Sequence, residues 1–214
     1  MKYLFLLISL IIGMQVSAQE AELFVNAGPV LTKYNGELGS FDNSSGGIQI
    51  GLQFNKKEKL NGSLNFGFGA VSGEDINFGP QAQVSTEPNP NNFFKSNFIF
   101  FHYELHYNFI KKDNYQIYFS QGAGVFRFNP RNDLDEDLQD LTETRNEGEA
   151  YRNATIMLPT SIGATYFLPN DYGIGLQTGF YNTITKYLDN IGELGDNSND
   201  NVLFVKLSVY APLK

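Results

Sequence analysis

The chain has no cysteine, no tryptophan and only two histidines, and charged residues make up just 18% of its 214 positions. Without cysteine there is no disulfide framework, no thiolate nucleophile and no sulfur-ligated metal. Long apolar runs are scarce too. The clearest, Tyr3 to Ile12, is too short to cross a bilayer as a helix, which takes about 20 residues. It follows Lys2 and precedes Val16-Ser17-Ala18, which places small residues at the −3 and −1 positions ahead of Gln19. That layout predicts a secretory signal peptide over 1–18 and a single mature domain over 19–214. No cysteine follows the run, which excludes lipid attachment there. Basic charge is also in deficit, with 15 Lys and Arg against 23 Asp and Glu. An acidic mature chain does not seek nucleic acid through electrostatics, so that class of partner is excluded.

The residues in good supply are glycine (21), phenylalanine (19) and tyrosine (12). Aromatic residues suit pleated surfaces and membrane interfaces. A mean hydropathy of −0.26 is compatible with a transmembrane barrel, because its strands alternate apolar and polar residues. Eight segments show the strand period of two. Ile48, Ile50, Leu52 and Phe54 alternate with Gln49, Gly51, Gln53 and Asn55. Ile99, Phe101, Tyr103, Leu105, Tyr107 and Phe109 alternate with His102, Glu104, His106 and Asn108. Four more segments alternate as clearly, from Leu60, Ile156, Tyr172 and Leu203, while those near 21–32 and 115–128 are less regular. The polar faces carry Gly, Ser, Asn, Gln and Thr and few charges, which suits a narrow barrel interior rather than a wetted surface.

Connection lengths alternate as well. Short polar turns lie at 55–59, 111–114 and 168–171, and long connections at about 33–46, 72–95, 129–153 and 188–200. Short turns on one rim and long loops on the other is the outer-membrane pattern, with the short turns periplasmic. The expectation is an all-β, eight-stranded antiparallel up-and-down transmembrane barrel of OmpA/OmpX-like size, exported to the outer membrane and surrounded by its lipid. The short turns carry Lys56, Lys57, Lys59, Lys111 and Lys112. The 129–153 loop holds three arginines against eight acids, and the last loop adds Asp189, Glu193, Asp196 and Asp200. A mildly basic lower rim and an acidic crown follow.

Candidate chemistry is thin. His102 and His106 flank Glu104 on one polar face. A metal or acid/base site is one reading. Positions four apart on a strand lie about 13 Å apart, however, so hydrogen-bonded lumenal packing is the plainer reading. Lys206 shares the polar face and suggests an ion pair with Glu104. Asp133-Leu134-Asp135-Glu136-Asp137 has the alternating acids of a calcium loop, but Leu138 replaces the glycine and Thr144 the closing glutamate. No Gly-x-Ser-x-Gly elbow and no phosphate-binding glycine loop occurs. The reading is a non-enzymatic protein with no cofactor and no metal.

Four segments carry a resemblance. Tyr34-Asn35-Gly36-Glu37-Leu38 leaves the first strand, and Phe94-Lys95-Ser96-Asn97 enters the fourth. Gly124 to Pro130, with Phe128-Asn129-Pro130 at its end, leaves the fifth. Thr185-Lys186-Tyr187-Leu188-Asp189-Asn190 leaves the seventh. In this order and spacing the chain resembles the PorG-type outer-membrane barrels of Bacteroidota, with Glu37 where Asp is expected. The resemblance implies association with the type IX protein secretion machinery, tying a periplasmic ring of a lipoprotein and its partner to the outer membrane. The motif positions stand at extracellular strand ends, where rim packing and turn capping explain them equally well. A periplasmic ring would meet the short turns, which makes the five lysines the partner-contact candidates. The alternative is a stand-alone surface barrel whose acidic loops bind a ligand or stabilise the envelope.

Overall fold

The computed structural model describes residues 23–54, 58–75, 92–140, 153–191 and 198–213. The expected signal peptide lies outside them. Eight antiparallel strands close into a barrel in chain order: β1 (Leu23–Gly36), β2 (Gly39–Phe54), β3 (Leu60–Glu74), β4 (Phe93–Lys111), β5 (Tyr115–Arg131), β6 (Ala154–Phe167), β7 (Gly173–Thr183) and β8 (Asn201–Leu213). β8 pairs back onto β1, so no sheet edge is left. The only helical piece among the described residues is a 3₁₀ turn, Leu138–Asp140, beside the end of β5.

Alternation decides the faces. In β4 the even positions from Phe94 to Asn108 are buried and their odd neighbours are exposed. The exposed set includes Ile99, Phe101, Tyr103, Leu105 and Tyr107, and the other strands continue the same girdle with residues such as Phe68, Val125, Ile174 and Val209. A girdle of this extent exceeds the apolar patches that soluble proteins leave in water. In hydrocarbon it is required, and the closed ladder satisfies the backbone groups that lipid cannot. The molecule is therefore a membrane-spanning barrel of the outer-membrane type. At the short-turn end the girdle turns aromatic, with Tyr107, Phe109, Tyr115, Tyr166 and Tyr172 exposed. Lys59 Nζ lies 5.1 Å from the centre of the Tyr107 ring. Rings and cations at this level match a membrane–water interface.

Two prolines interrupt the belt, Pro29 between β1 and β8 and Pro159 between β5 and β6. Between Gln121↔Thr160 and Gly124↔Met157 the β5–β6 ladder lacks two residue pairs, where Pro159 has no N–H. Gln121 Nε2 donates to Pro159 O (3.1 Å), and Thr160 Oγ1 donates to Gln121 Oε1 (2.8 Å). Asn182 Nδ2 closes the repair by donating to Leu158 O (2.8 Å). These polar side chains on the lipid face thus compensate for a gap in the wall.

One expected connection is absent. Instead of a loop over 33–46, β1 and β2 stay paired as far as Asn35↔Ser40 and Gly36↔Gly39, leaving a two-residue turn at Glu37 and Leu38. The apolar alternation ends near Leu31 because the bilayer ends there. Backbone pairing above the membrane needs no apolar side chains, so Ser, Asn and Gly continue the hairpin. Lys33 Nζ braces it by donating to Phe41 O (2.8 Å). β4, at 19 residues, is about 60 Å long at ~3.3 Å per residue, so even when tilted it overhangs a core of about 30 Å.

The lumen is filled in three layers. Phe24, Phe167 and Tyr210 close the lower end, with Phe24 and Phe167 in an edge contact at 5.7 Å. A polar layer occupies the middle. Above it, Phe98, Phe100, Phe126, Phe128, Tyr181 and Phe204 lead up to Tyr34, Leu38, Phe94 and Leu188.

Candidate functional site

The polar layer is organised by Glu104, which is 1% exposed. His102 Nε2 lies 3.0 Å from its Oε1, and His106 Nε2 lies 3.3 Å from its Oε2. Gln177 Nε2 donates to Oε2 (2.9 Å), and so does Ser120 Oγ (3.3 Å). Ser63 Oγ is 2.9 Å from His106 Nε2, and Ser161 Oγ is 2.5 Å from Ser120 Oγ. The two histidines therefore meet through the carboxylate between them. Gly124 faces His102 in register, and a Cβ there would strike the His102 side chain. This is a packing hub that holds a carboxylate with neighbouring donors.

The expected Glu104–Lys206 ion pair is not formed; among the described residues the Glu104 carboxylate is met by His102, His106, Ser120 and Gln177. Lys206 is buried and pairs in register with Gln177, and Gln177 takes the Glu104 carboxylate instead.

The second constellation caps the barrel on the long-loop side. Tyr34 Oη lies 2.8 Å from both Asp189 Oδ2 and Asp200 Oδ1. A phenol has one proton, so it serves one carboxylate at a time. Leu188 N donates to Asp200 Oδ2 and Ile191 N to Asp189 Oδ1, each at 2.8 Å. Glu37 joins them: one oxygen each from Glu37, Asp189 and Asp200 lie within 4.8 Å of one another. Phe94 packs edge-on to Tyr34 at 4.6 Å, and Leu38, Phe128, Tyr187, Leu188 and Ile191 complete the apolar surround. Burial, and then the Glu37 charge, push the Asp189 carboxyl up to about 8. Burial, then Asp189 and Glu37, hold Asp200 well above the usual carboxylate range. Three such carboxyls share so small a space only when protons or a cation offset their charge. Their oxygens are of the kind hard divalent ions prefer, which makes this the group among the described residues able to hold one.

Most of the motif positions thus converge. Tyr34, Gly36, Glu37, Leu38, Phe128, Tyr187, Leu188 and Asp189 belong to one cap, although they stand in three separate segments. Gly36 has a role of its own, because a Cβ there would strike both Tyr34 Oη and Asp200 Oδ1. Pro130 is buried beside Ser96 at the end of β5, and Asn129 is half-buried on the outer side of that strand. Asp189 and Asp200, expected in an acidic crown, are instead fully buried. The acidic turn 132–137 is held locally: Arg131 Nη1 pairs with Asp135 Oδ2 (2.9 Å), and Asn132 Oδ1 accepts from the N–H groups of Leu134 and Glu136.

Asp200 was expected only as part of the acidic crown, and Phe94 stood in a resembling segment without being singled out. A signal for Asp200 was present, since it shares the inward parity of Val202, Phe204 and Lys206. Among the lysine candidates, Lys59, Lys111 and Lys112 are exposed at the short-turn rim. Lys56 and Lys57 lie outside the described residues.

No family model matches the chain, and no curated protein matches it. Solved structures do resemble it. Neisserial surface protein A aligns over 91% of this chain and 100% of its own, at 14% identity and a TM-score of 0.53. Ail, the attachment invasion locus protein of Yersinia pestis, solved in complex with the heparin analogue sucrose octasulfate, aligns over 91% and 100% at 12% identity and a TM-score of 0.51. At such identities the likeness is one of fold, and it matches the closed eight-stranded antiparallel barrel described above.

Proposed function

We propose that this chain is a non-enzymatic outer-membrane barrel that anchors or stabilises a type IX protein secretion complex by contact with its periplasmic ring. The observation that carries this reading is the use to which the motif residues are put. Tyr34, Gly36, Leu38, Phe128 and Tyr187 to Asp189, which carry the resemblance to PorG-type barrels, close the barrel from above. The polar layer and the lower aromatic layer fill the rest, so the surfaces left for a partner are the rims and the outer wall. The rim assigned to the periplasm carries Lys59, Lys111 and Lys112, all exposed, and the sequence adds Lys56 and Lys57 just ahead of Lys59. The contact assigned to them is electrostatic and reaches a ring lipoprotein and its partner.

Affinity isolation of the protein from its native membrane in mild detergent tests this. The ring lipoprotein and its partner are expected to come with it, and charge-neutralising substitutions of the five lysines to lower their yield. Recovery of the barrel alone overturns the reading.

A second reading, a stand-alone surface barrel, draws on the 129–153 loop with its eight acids. Such a loop repels polyanions, so the sulfated ligand seen with Ail does not carry over. Deletion of the loop with secretion left normal and a surface phenotype lost favours this second reading.

A further inference from the structure

A groove of about 670 Å³ opens on the outer wall of β3, β4 and β5, where the apolar belt gives way to the overhanging strands. Phe68 and Ile99 form its apolar floor, each about half exposed. Asn97, Asn129 and Arg127 stand above and beside them. Arg127 projects outward from β5 in register with Ile99, one rung above the exposed Val125 and Phe101. It is a cation at the edge of hydrocarbon, and among the described residues no carboxylate lies within 4.0 Å of it. Arg131, higher on the same strand, is taken by Asp135. The carboxylate in the lining, Asp137, turns Oδ1 to the Gln139 N–H (2.9 Å).

We propose that this groove binds the phosphorylated headgroup of an outer-leaflet lipid, with Arg127 on the phosphate and the acyl chains along Phe68 and Ile99. An arginine at this depth meets anionic headgroups by position, and its fork matches phosphate oxygens in pairs. The amides of Asn97 and Asn129 add donors for phosphate or sugar oxygens. The acidic loop above keeps anions dissolved in the medium away, so the ligand arrives from the membrane, tethered by its chains.

The test is native mass spectrometry of the purified full-length mature protein in a neutral maltoside. The probes are diphosphorylated lipid A, the same lipid dephosphorylated, and inorganic phosphate. Wild-type protein is expected to retain diphosphorylated lipid A, and Arg127→Gln to retain about five-fold less, the factor that one cation near an anionic headgroup contributes. Arg127→Lys falls between them. The dephosphorylated lipid is expected to bind wild-type protein about five-fold more weakly, and inorganic phosphate at equal concentration not to compete. Heat-modifiable migration on a gel checks that each variant is folded, and the dephosphorylated arm needs no variant at all. Equal retention by Arg127→Gln, equal binding of the dephosphorylated lipid, or displacement by inorganic phosphate overturns the proposal. So does a doubled protein mass lost on Arg127→Gln, which would seat a second copy in the groove.

Discussion

Around Glu104 the lumen surrounds one carboxylate with four neighbouring polar side chains, whereas under the outer loops the cap sets three carboxyls around one phenol. Both places take acidic groups out of water, which costs several kcal/mol per ion unless something answers the charge. In the polar layer the answer is hydrogen bonds delivered by β4, β5 and β7. In the cap the like charges work against each other, and a retained proton or a captured cation must answer. A buried acid is therefore no single kind of object in this molecule. One holds the wall together as an acceptor; the others are poised to change their charge.

The largest effect expected from testing this contrast is at Glu104. Glu104→Leu leaves His102, His106, Ser120 and Gln177 with no common acceptor and is expected to destabilise the barrel by about 3–5 kcal/mol. Urea unfolding in micelles, followed by heat-modifiable migration, measures it; a loss below about 1 kcal/mol would show that the hub is dispensable.

Next comes pH. Asp189 keeps its proton in the folded cap up to about 8, while in the unfolded chain it ionises near the usual carboxylate range. The folded state then binds more protons between those values, so cap stability is full at acid pH and falls as pH rises towards 8, by about 1.4 kcal/mol per pH unit for one such group. Amide exchange protection at Leu188 and Ile191, whose N–H groups donate to the two aspartates, is the readout. Protection that stays flat from pH 5 to 9 would mean that a cation, not a proton, answers the charge.

A smaller loss, about 1–3 kcal/mol, is expected for Tyr34→Phe, which removes the phenol shared by Asp189 and Asp200. The same exchange measurement should place that loss at the cap while the polar layer stays protected. The smallest effect is expected for Asp200→Asn. An amide replaces a protonated carboxyl at similar size, so a change within about 1 kcal/mol is predicted near neutral pH, with the steepness of the pH dependence reduced. A loss as large as that of Glu104→Leu would erase the distinction between the two sites.

The barrel itself was legible because burial acts on every second residue. From Phe94 to Phe109 one rule, lipid outside and lumen inside, writes the same alternation sixteen residues long. The connection at 33–46 was misread because outside the bilayer that rule stops while strand pairing does not. The cap was legible only in pieces. Tyr34 and Asp200 stand 166 positions apart and come together because β1 closes on β8, with Tyr34 opposite Val202. Nothing local in either segment announces that meeting, although the parity of Asp200 hints at an inward side chain. Lys206 was placed on the correct face, but its partner was not readable, since Gln177 and Lys206 compete for Glu104 from neighbouring strands.

The seam between β1 and β8 has a kinetic side. Every other pairing joins strands consecutive in the chain, whereas this one joins Leu23 to Leu213. Seven ladders are local hairpins between consecutive strands, but the eighth must bring the first strand to the last. Until then two strands would present bare N–H and C=O groups to hydrocarbon. Insertion and closure are therefore one concerted event, and a chain cut short before β8 has no stable resting place in the membrane.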